Sequence, residues 1–481
     1  MLNKLKNYRY ISLIPICLGV FIAADDQTVI VTIIPEIMKD MNIPPNELNK
    51  VSWSITGYLI GYISAIPIIG RISDTYGKRK IFILCTIIFS IGSMLVALSP
   101  KIELLILSRI FQATGAGALI PIGISIISDN FPRNKIAIPI GIIGATAEAG
   151  GVIGPLWGGI ISNYFNWTWV FWINIPLSII VLITCIIFIK PTKPNNSKFD
   201  YLSGFILIIS FVSLTLGLNK LNPINFSTYI YFIIFITTTL ILIIKMNSLY
   251  IYELKSKFKL TKFLLINLSH LLIGSSLMIA MITIPLMANT VLGLDSLDGG
   301  LYLMRMTIAI PISALLGGII YQKLHYKNSI IIGLIISSIG FFLMSKWNLH
   351  ISDPALTIHL FITGFGFGML ISPIYTKGLD CIEESYKTTA ASMLTVSRLI
   401  GMTLTISWIS AWGTTRFKVL TNDIQIFPIL NQINLNSNNE TNDIQLQIIE
   451  AGLKLFNEFF LIACIICIIG IIPALLINNK N

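Results

Sequence analysis

The chain has 481 residues, 54% of them hydrophobic and only 11% charged, with 33 Lys and Arg against 22 Asp and Glu for a net charge of +11. A soluble globular protein carries about 25% charged residues, so one soluble core is excluded and lipid is the solvent for most of the chain. The basic excess gathers in short loops and is not interleaved with aromatic side chains, which excludes a nucleic-acid surface and points to an anionic lipid face.

Apolar runs long enough to cross a bilayer, roughly 20 residues each, recur from end to end. Fourteen lie near 11–34, 51–70, 81–99, 103–128, 137–162, 168–189, 202–219, 228–244, 263–288, 299–320, 329–345, 355–376, 388–411 and 457–477. Lipid offers no partner to free backbone groups, so each run is predicted to be a helix. With the N-terminus inside and sides alternating, 22 Lys and Arg fall inside, 8 outside and three (Arg109, Arg305, Arg398) within spans. The positive-inside rule then predicts a multi-pass plasma-membrane protein with both termini cytoplasmic. The first run carries Asp25 and Asp26 and no small-residue cleavage site, so it reads as a span and not a signal peptide.

The predicted organisation is a six-helix bundle over 1–190, an inserted helix pair with cytoplasmic linkers over 191–262, and a second six-helix bundle over 263–481. The longest polar interruption, about 412–455, reads as an external loop with a short helix at "IQLQIIEAGLKLF". A faint repeat supports the two halves: "GRISDTYGKRK" (Gly70–Lys80) follows the second run and "GIIYQKLHYKN" (Gly318–Asn328) the tenth. Parallel repeats of this kind occur in secondary transporters. The Cys464-x-x-Cys467 pair lies within an Ile-rich span and reads as small apolar filler. No metal-ligand cluster, nucleophile motif or phosphate loop is present, so neither an enzyme nor a cofactor is expected.

Ionisable groups inside spans are costly and mark function by default. Asp25 and Asp26 lie in the first span, Glu148 in the fifth, Arg109 in the fourth. Adjacent helical residues point about 100° apart, so the two aspartates face different surroundings; Asp26 is assigned to the cavity and Asp25 to a neighbour or an outer contact. Desolvation favours the neutral form of an acid. A membrane carboxylate that binds either a proton or a cationic substrate would exchange one for the other, and Asp26 and Glu148 are the candidates. Each has an alternative role, to neutralise Arg109. Arg305 and Arg398 have no spanning acid in their own half; they pair across the seam or bind an anionic group. Trp53, Tyr58, Trp157, Trp172 and Trp408 are candidates to line a cavity, and His270 either shuttles protons or packs.

Three motifs carry the mechanism. In Gly70-x-x-x-Asp74-x-x-Gly77-Lys78-Arg79, Gly70 permits close approach, Gly77 a tight reversal, Asp74 a bond to a helix N-terminus or a base across the seam, and the bases hold the loop at the lipid surface. In "GGVIGPLWGG", Gly150, Gly154 and Gly158 recur every four residues beside Gly151, Pro155 and Gly159, the spacing of a tightly packed or flexing helix, read here as a seam between halves. "LSRIFQATGAGAL" (Leu107–Leu119) sets Arg109 and Gln112 one turn apart.

These segments resemble the major facilitator superfamily. The ordered set "DQTVIVTIIP" (Asp26–Pro35), "GRISDTYGKRK", "LSRIFQATGAGAL", "GGVIGPLWGG", "NWTWVFWINIP" (Asn166–Pro176) and "FDYLSG" (Phe199–Gly204) resembles its fourteen-helix drug:proton antiporter branch. Thr75, Val31 and Ala113 depart from that pattern, and in the second half Asn289 does. The resemblance implies an all-α major facilitator fold, two six-helix bundles with two inserted helices. It also implies export of amphipathic, cationic small molecules in exchange for protons by alternating access, with Arg109 in proton transfer and the Gly70–Arg79 loop in gating. Gln112, Asn174, Trp53, Tyr58, Arg305 and Arg398 are the expected cavity residues, and a monomer is expected to suffice. The competing expectations are export of an endogenous metabolite, lipid or siderophore, anionic in one version, and a sensor that no longer transports.

Overall fold

The computed structural model describes residues 8–43, 48–132, 135–191, 201–219, 226–247, 259–294, 296–421 and 438–477. After one turn at Tyr8–Ile11, the first half contains α1 (Leu13–Asp40), α2 (Leu48–Tyr76), α3 (Lys78–Ala97), α4 (Ile102–Asn130), α5 (Ala137–Tyr164) and α6 (Trp169–Phe188). Then come α7 (Tyr201–Asn219) and α8 (Phe226–Asn247). The second half contains α9 (Leu260–Thr290), α10 (Ser296–Met344), α11 (Ala355–Asp380), α12 (Lys387–Leu420) and α13 (Asn438–Leu476). The expected all-helical membrane fold is the one observed.

Apolar content explains where these helices run, and backbone chemistry explains where they stop. Between α2 and α3 the reversal is a single residue, Gly77, at φ 102°, a left-handed conformation that side chains disfavour. Ile183 and Ile187 on α6 and Ile468 and Leu476 on α13 are exposed, as outward apolar groups in lipid should be.

α10 holds two membrane-length stretches, Asp298–Leu324 and Tyr326–Met344. Gly364 of α11 lies against Met306, while Thr363, one residue earlier, lies against Gly340. Met306 and Gly340 would stand roughly 50 Å apart on a straight helix, so the chain turns back between the two stretches and both flank α11. The turn falls beside the repeat of the Gly70–Lys80 loop.

Twelve helical stretches among the described residues are long and apolar enough to cross a membrane, against the fourteen runs read from sequence. The difference is the inserted pair. Both helices exist and pack together, Gly217 against Tyr231 and Phe232 and Ser210 Oγ 3.0 Å from Thr239 Oγ1, but the apolar stretch of α8 is only Phe226–Ile241. The expected 412–455 loop is also shorter than read. α12 continues to Leu420 and α13 begins at Asn438, absorbing the anticipated short helix, because polar composition alone does not end a helix. Arg416 ties the two extensions by paired bonds to Glu458, 2.8 and 2.7 Å, and Trp408 stacks on Trp412 at 5.2 Å with Phe459 against both.

α1–α6 pack on one another, as do α9–α13. The two groups meet where α5 packs on α10 and α11, and where α12 packs on α2 and α4. The backbones are close there: a Cβ on Gly318 would meet the Ala137 carbonyl, and one on Gly141 the Ala314 carbonyl. These contacts, and those of α2 with the start of α12, gather at the end that carries the Gly70–Lys80 loop, hereafter the loop face.

Candidate transport site

Asp26 and Arg109 meet inside the first half with both side chains fully buried. Arg109 donates to Asp26 Oδ2 at 2.6 Å and to the Asp26 carbonyl at 3.1 Å. Gln112 and Asn174 donate to Asp26 Oδ1 at 2.9 and 3.0 Å, and both also reach Ser93 Oγ. The guanidinium lies 4.2 Å from the Tyr58 ring centre, with Phe171 beyond it. Five helices thus supply one buried polar knot, from α1, α2, α3, α4 and α6, in which Arg109 Nε alone of the guanidinium nitrogens is left unbonded. Asp26, Tyr58, Gln112 and Asn174, expected to line a cavity, are all buried within the bundle here, with two side-chain bonds on Asp26 Oδ1 and one on Oδ2. Burying a pair of charges is tolerated only with additional hydrogen bonds of this kind.

The glycine stripe has a different neighbour from the one expected. Cβ atoms on Gly150, Gly154 and Gly158 would strike Phe21 and Ala24, then Thr28 and the Asp25 carbonyl, then Thr32 and Val29. The stripe therefore packs α5 on α1 inside one half and is not the seam between halves. Gly159 meets nothing within 4 Å and Gly151 only Thr28 at that limit, while Pro155 is half-buried within α5. The seam uses the other end of α5, through Gly141 and Gly144. Asp25 stands beside the stripe, 8% exposed, with Oδ1 unbonded.

At the loop face Asp74 crosses the seam. Its carboxylate accepts from the Thr388 and Thr389 amides at 3.1 and 2.9 Å and from the Thr389 hydroxyl at 2.8 Å. It thereby caps the N-terminus of α12, where unpaired amides and the helix dipole favour an anion. Gly70 lies one turn up against Ser392, and Arg71 covers the Tyr386 ring at 4.3 Å. Lys78, expected at the lipid surface, is buried and paired with Asp129 at 2.5 Å, and Lys387 of the other half reaches Asp129 at 3.5 Å. Asp129, shared between Lys78 and Lys387, holds Lys78 inward. Arg79 bonds the Ile186 carbonyl at 2.8 Å.

The centre of the seam holds Glu148 of α5 and Arg398 of α12, paired at 2.6 Å, with side chains 18% and 22% exposed. A narrow cavity adjoins them, lined by Ile273 and Leu277 of α9, Ile310 of α10 and Phe367 and Ile371 of α11, with His270 at its wall. Of the six expected cavity residues, only Arg398 lines this space. Trp53 and Trp157 are partly exposed. Arg305 lies at the far end from the loop face, bonded to Asp353 at 2.8 Å and Thr357 at 2.8 Å and 4.7 Å from the Tyr302 ring; its carboxylate partner sits in the connection before α11 and not within a span. The Thr357 hydroxyl and then the guanidinium hold the Asp353 carboxyl below its ordinary range. Trp167 is buried and donates to Asp40 at 3.0 Å.

Residues 16–406 match the model of the Major Facilitator Superfamily. The chain belongs to that family. Among curated proteins it is 30% identical to a triacylglyceride transporter of Mycolicibacterium smegmatis over 96% of this chain and 86% of that one. It is 30% identical to the triacylglyceride transporter of Mycolicibacterium hassiacum over 83% and 78%, and 28% identical to that of Mycobacterium tuberculosis over 96% and 93%. Among solved structures, the human organic anion transporter MFSD10 (TETRAN) superposes with a TM-score of 0.61 at 14% identity over 95% of this chain and 99% of that one. The proton:xylose symporter XylE does so at 0.61 and 12% over 95% of each. This chain is a multi-pass membrane transporter and not an enzyme.

Proposed function

We propose that this transporter exports a lipid-like, glyceride-class amphiphile across the plasma membrane in exchange for protons, by alternating access and as a monomer with cytoplasmic termini. The observation that carries the reading is the Glu148–Arg398 pair, which joins the two halves at the edge of an apolar cavity. A proton on Glu148 removes the attraction that holds α5 to α12 at this point; its loss restores it. Protonation and separation of the halves are then one event, which is the requirement of a coupled exchanger. The three triacylglyceride-transporter relatives support a lipid cargo.

The test is transfer of a fluorescent triacylglyceride by the reconstituted protein with and without an imposed pH gradient. Faster transfer with the gradient supports the reading; indifference to it refutes proton exchange, and no transfer refutes the cargo. A second reading, export of amphipathic cations as in the antiporter branch, draws support from Asp25, a buried carboxylate with an unbonded oxygen. Cationic dye efflux that Asp25→Asn abolishes and Glu148→Gln spares would favour it.

A further inference from the structure

A second opening lies outside the seam, on the second half at the end away from the loop face. It is a cleft of about 330 Å³ between the end of α10 and α13, with Lys346 on one wall, Lys454 on the other, and apolar surface from Leu453 and Leu461. Lys346 comes two residues after Met344, where a membrane-length stretch ends, so the cleft opens at the membrane edge. Among the described residues neither ammonium is paired with a carboxylate. Glu458 gives both oxygens to Arg416, at 2.8 and 2.7 Å, and Lys346 faces only the Phe342 ring, 5.6 Å from its Nζ. Asn457, also on the wall, donates its amide to the Trp347 carbonyl at 2.9 Å, which leaves Oδ1 buried without a partner. A buried acceptor left this way is costly, and in a native site it signals a missing donor.

We infer that this cleft binds the head group of a phosphatidylglycerol, with the phosphate between Lys346 and Lys454 and a head-group hydroxyl donating to Asn457 Oδ1. Two unneutralised ammonium groups on facing walls suit one anion that accepts from both, as a phosphodiester does. Phosphate oxygens only accept, so they cannot serve Asn457 Oδ1; a glycerol hydroxyl can. A choline head group brings a cation towards two lysines and no donor. The volume is far above the ~15 Å³ that one water needs. Leu461 begins an exposed apolar row with Ile465, Ile468 and Ile472, one face of α13 that runs from the cleft into the membrane and suits an acyl chain. The cleft lies outside the seam, so the lipid it holds is neither cargo nor coupling group.

The experiment is native mass spectrometry of the full-length protein in detergent, titrated with phosphatidylglycerol, phosphatidylmethanol and phosphatidylcholine of identical acyl chains. Phosphatidylmethanol keeps the charge and lacks the hydroxyls. The first phosphatidylglycerol is expected to bind about tenfold tighter than phosphatidylcholine and about fivefold tighter than phosphatidylmethanol. Lys346→Gln with Lys454→Gln should abolish the preference over phosphatidylcholine. Lys101→Gln with Lys418→Gln, which removes the same charge from exposed positions outside the cleft, should keep it. Equal affinity for phosphatidylglycerol and phosphatidylcholine, a preference that survives in the Lys346 and Lys454 variant, or its loss in both double variants overturns the inference. Equal binding of phosphatidylglycerol and phosphatidylmethanol overturns the bond to Asn457. Displacement of the lipid by soluble glycerophosphoglycerol at equal concentration overturns the membrane source and assigns the cleft to a free phosphodiester.

Discussion

Replacing Asp26 with asparagine would leave Arg109 fully buried with its counter-charge gone. In the native structure the carboxylate accepts three side-chain bonds, from Arg109, Gln112 and Asn174, and the guanidinium also holds the Asp26 carbonyl. Asparagine matches the shape but removes the charge and turns one acceptor into a donor that faces other donors. Removing one partner of a buried pair costs about 3–5 kcal/mol, so Asp26→Asn is expected to lower the melting temperature of the detergent-purified protein sharply. The paired change Asp26→Leu with Arg109→Met removes both charges and should recover much of that loss, since the isolated charge and not the missing bond dominates the cost. The assay is fluorescence-detected gel filtration after a temperature ramp, run for the wild type, Asp26→Asn and the double variant. An Asp26→Asn protein that melts like wild type while losing its response to a pH gradient would refute the structural assignment and return Asp26 to proton exchange.

Glu148→Gln is expected to leave transfer indifferent to the imposed gradient, checked in the same vesicle assay; gradient-driven transfer at the wild-type rate would contradict it. Gly154→Val should destabilise by several kcal/mol, because a Cβ would stand 2.7 Å from the Asp25 carbonyl. Gly159→Ala, with open space around it, should melt like wild type. Asp74→Ala strips three bonds from the start of α12, each to a charged acceptor and worth roughly 1.5–3 kcal/mol. Maleimide labelling at an introduced Ser392→Cys should therefore accelerate, and unchanged labelling would show that the latch does not hold the loop face shut. Asp353 has a depressed folded-state value, so its bonds to Thr357 and Arg305 stabilise the start of α11 above the ordinary aspartate range of about 4 and are lost as pH falls through the lower folded value. Hydrogen exchange at residues 353–358 should rise over that interval in the wild type, show a smaller step in Arg305→Gln and none when Thr357→Ala is added.

Hydropathy made the spans and the helical fold legible, because lipid leaves a long apolar run no other structure. Pairings between spans were not legible. Asp26 and Arg109 are 83 residues apart and Glu148 and Arg398 lie in different halves; periodicity places each on a helix face without saying which helix it meets. The motif resemblance put Gln112 and Asn174 near the site but could not separate donors to a buried carboxylate from residues open to a cavity. The spacing of Gly150, Gly154 and Gly158 foretold close packing correctly and its partner wrongly, since small residues admit any neighbour. Lys78 reads as a lipid-surface base until Asp129 is known to lie beside it.

The loop-face latch has an unequal genetic target. On one side stands a single carboxylate, Asp74; on the other stand two main-chain amides, those of Thr388 and Thr389, and the Thr389 hydroxyl. Every residue except proline carries such an amide, so the two main-chain bonds do not depend on side-chain identity, although Thr388 is itself fully buried with its hydroxyl on Ser125 at 2.8 Å. A screen for leaky transporters should therefore return many alleles at Asp74 and, at position 388, proline together with side chains too large for the buried site. Second-site revertants of an Asp74 loss should arise in residues that supply a new anion, because no substitution at Thr388 can restore one side of a bond that its own side chain never made.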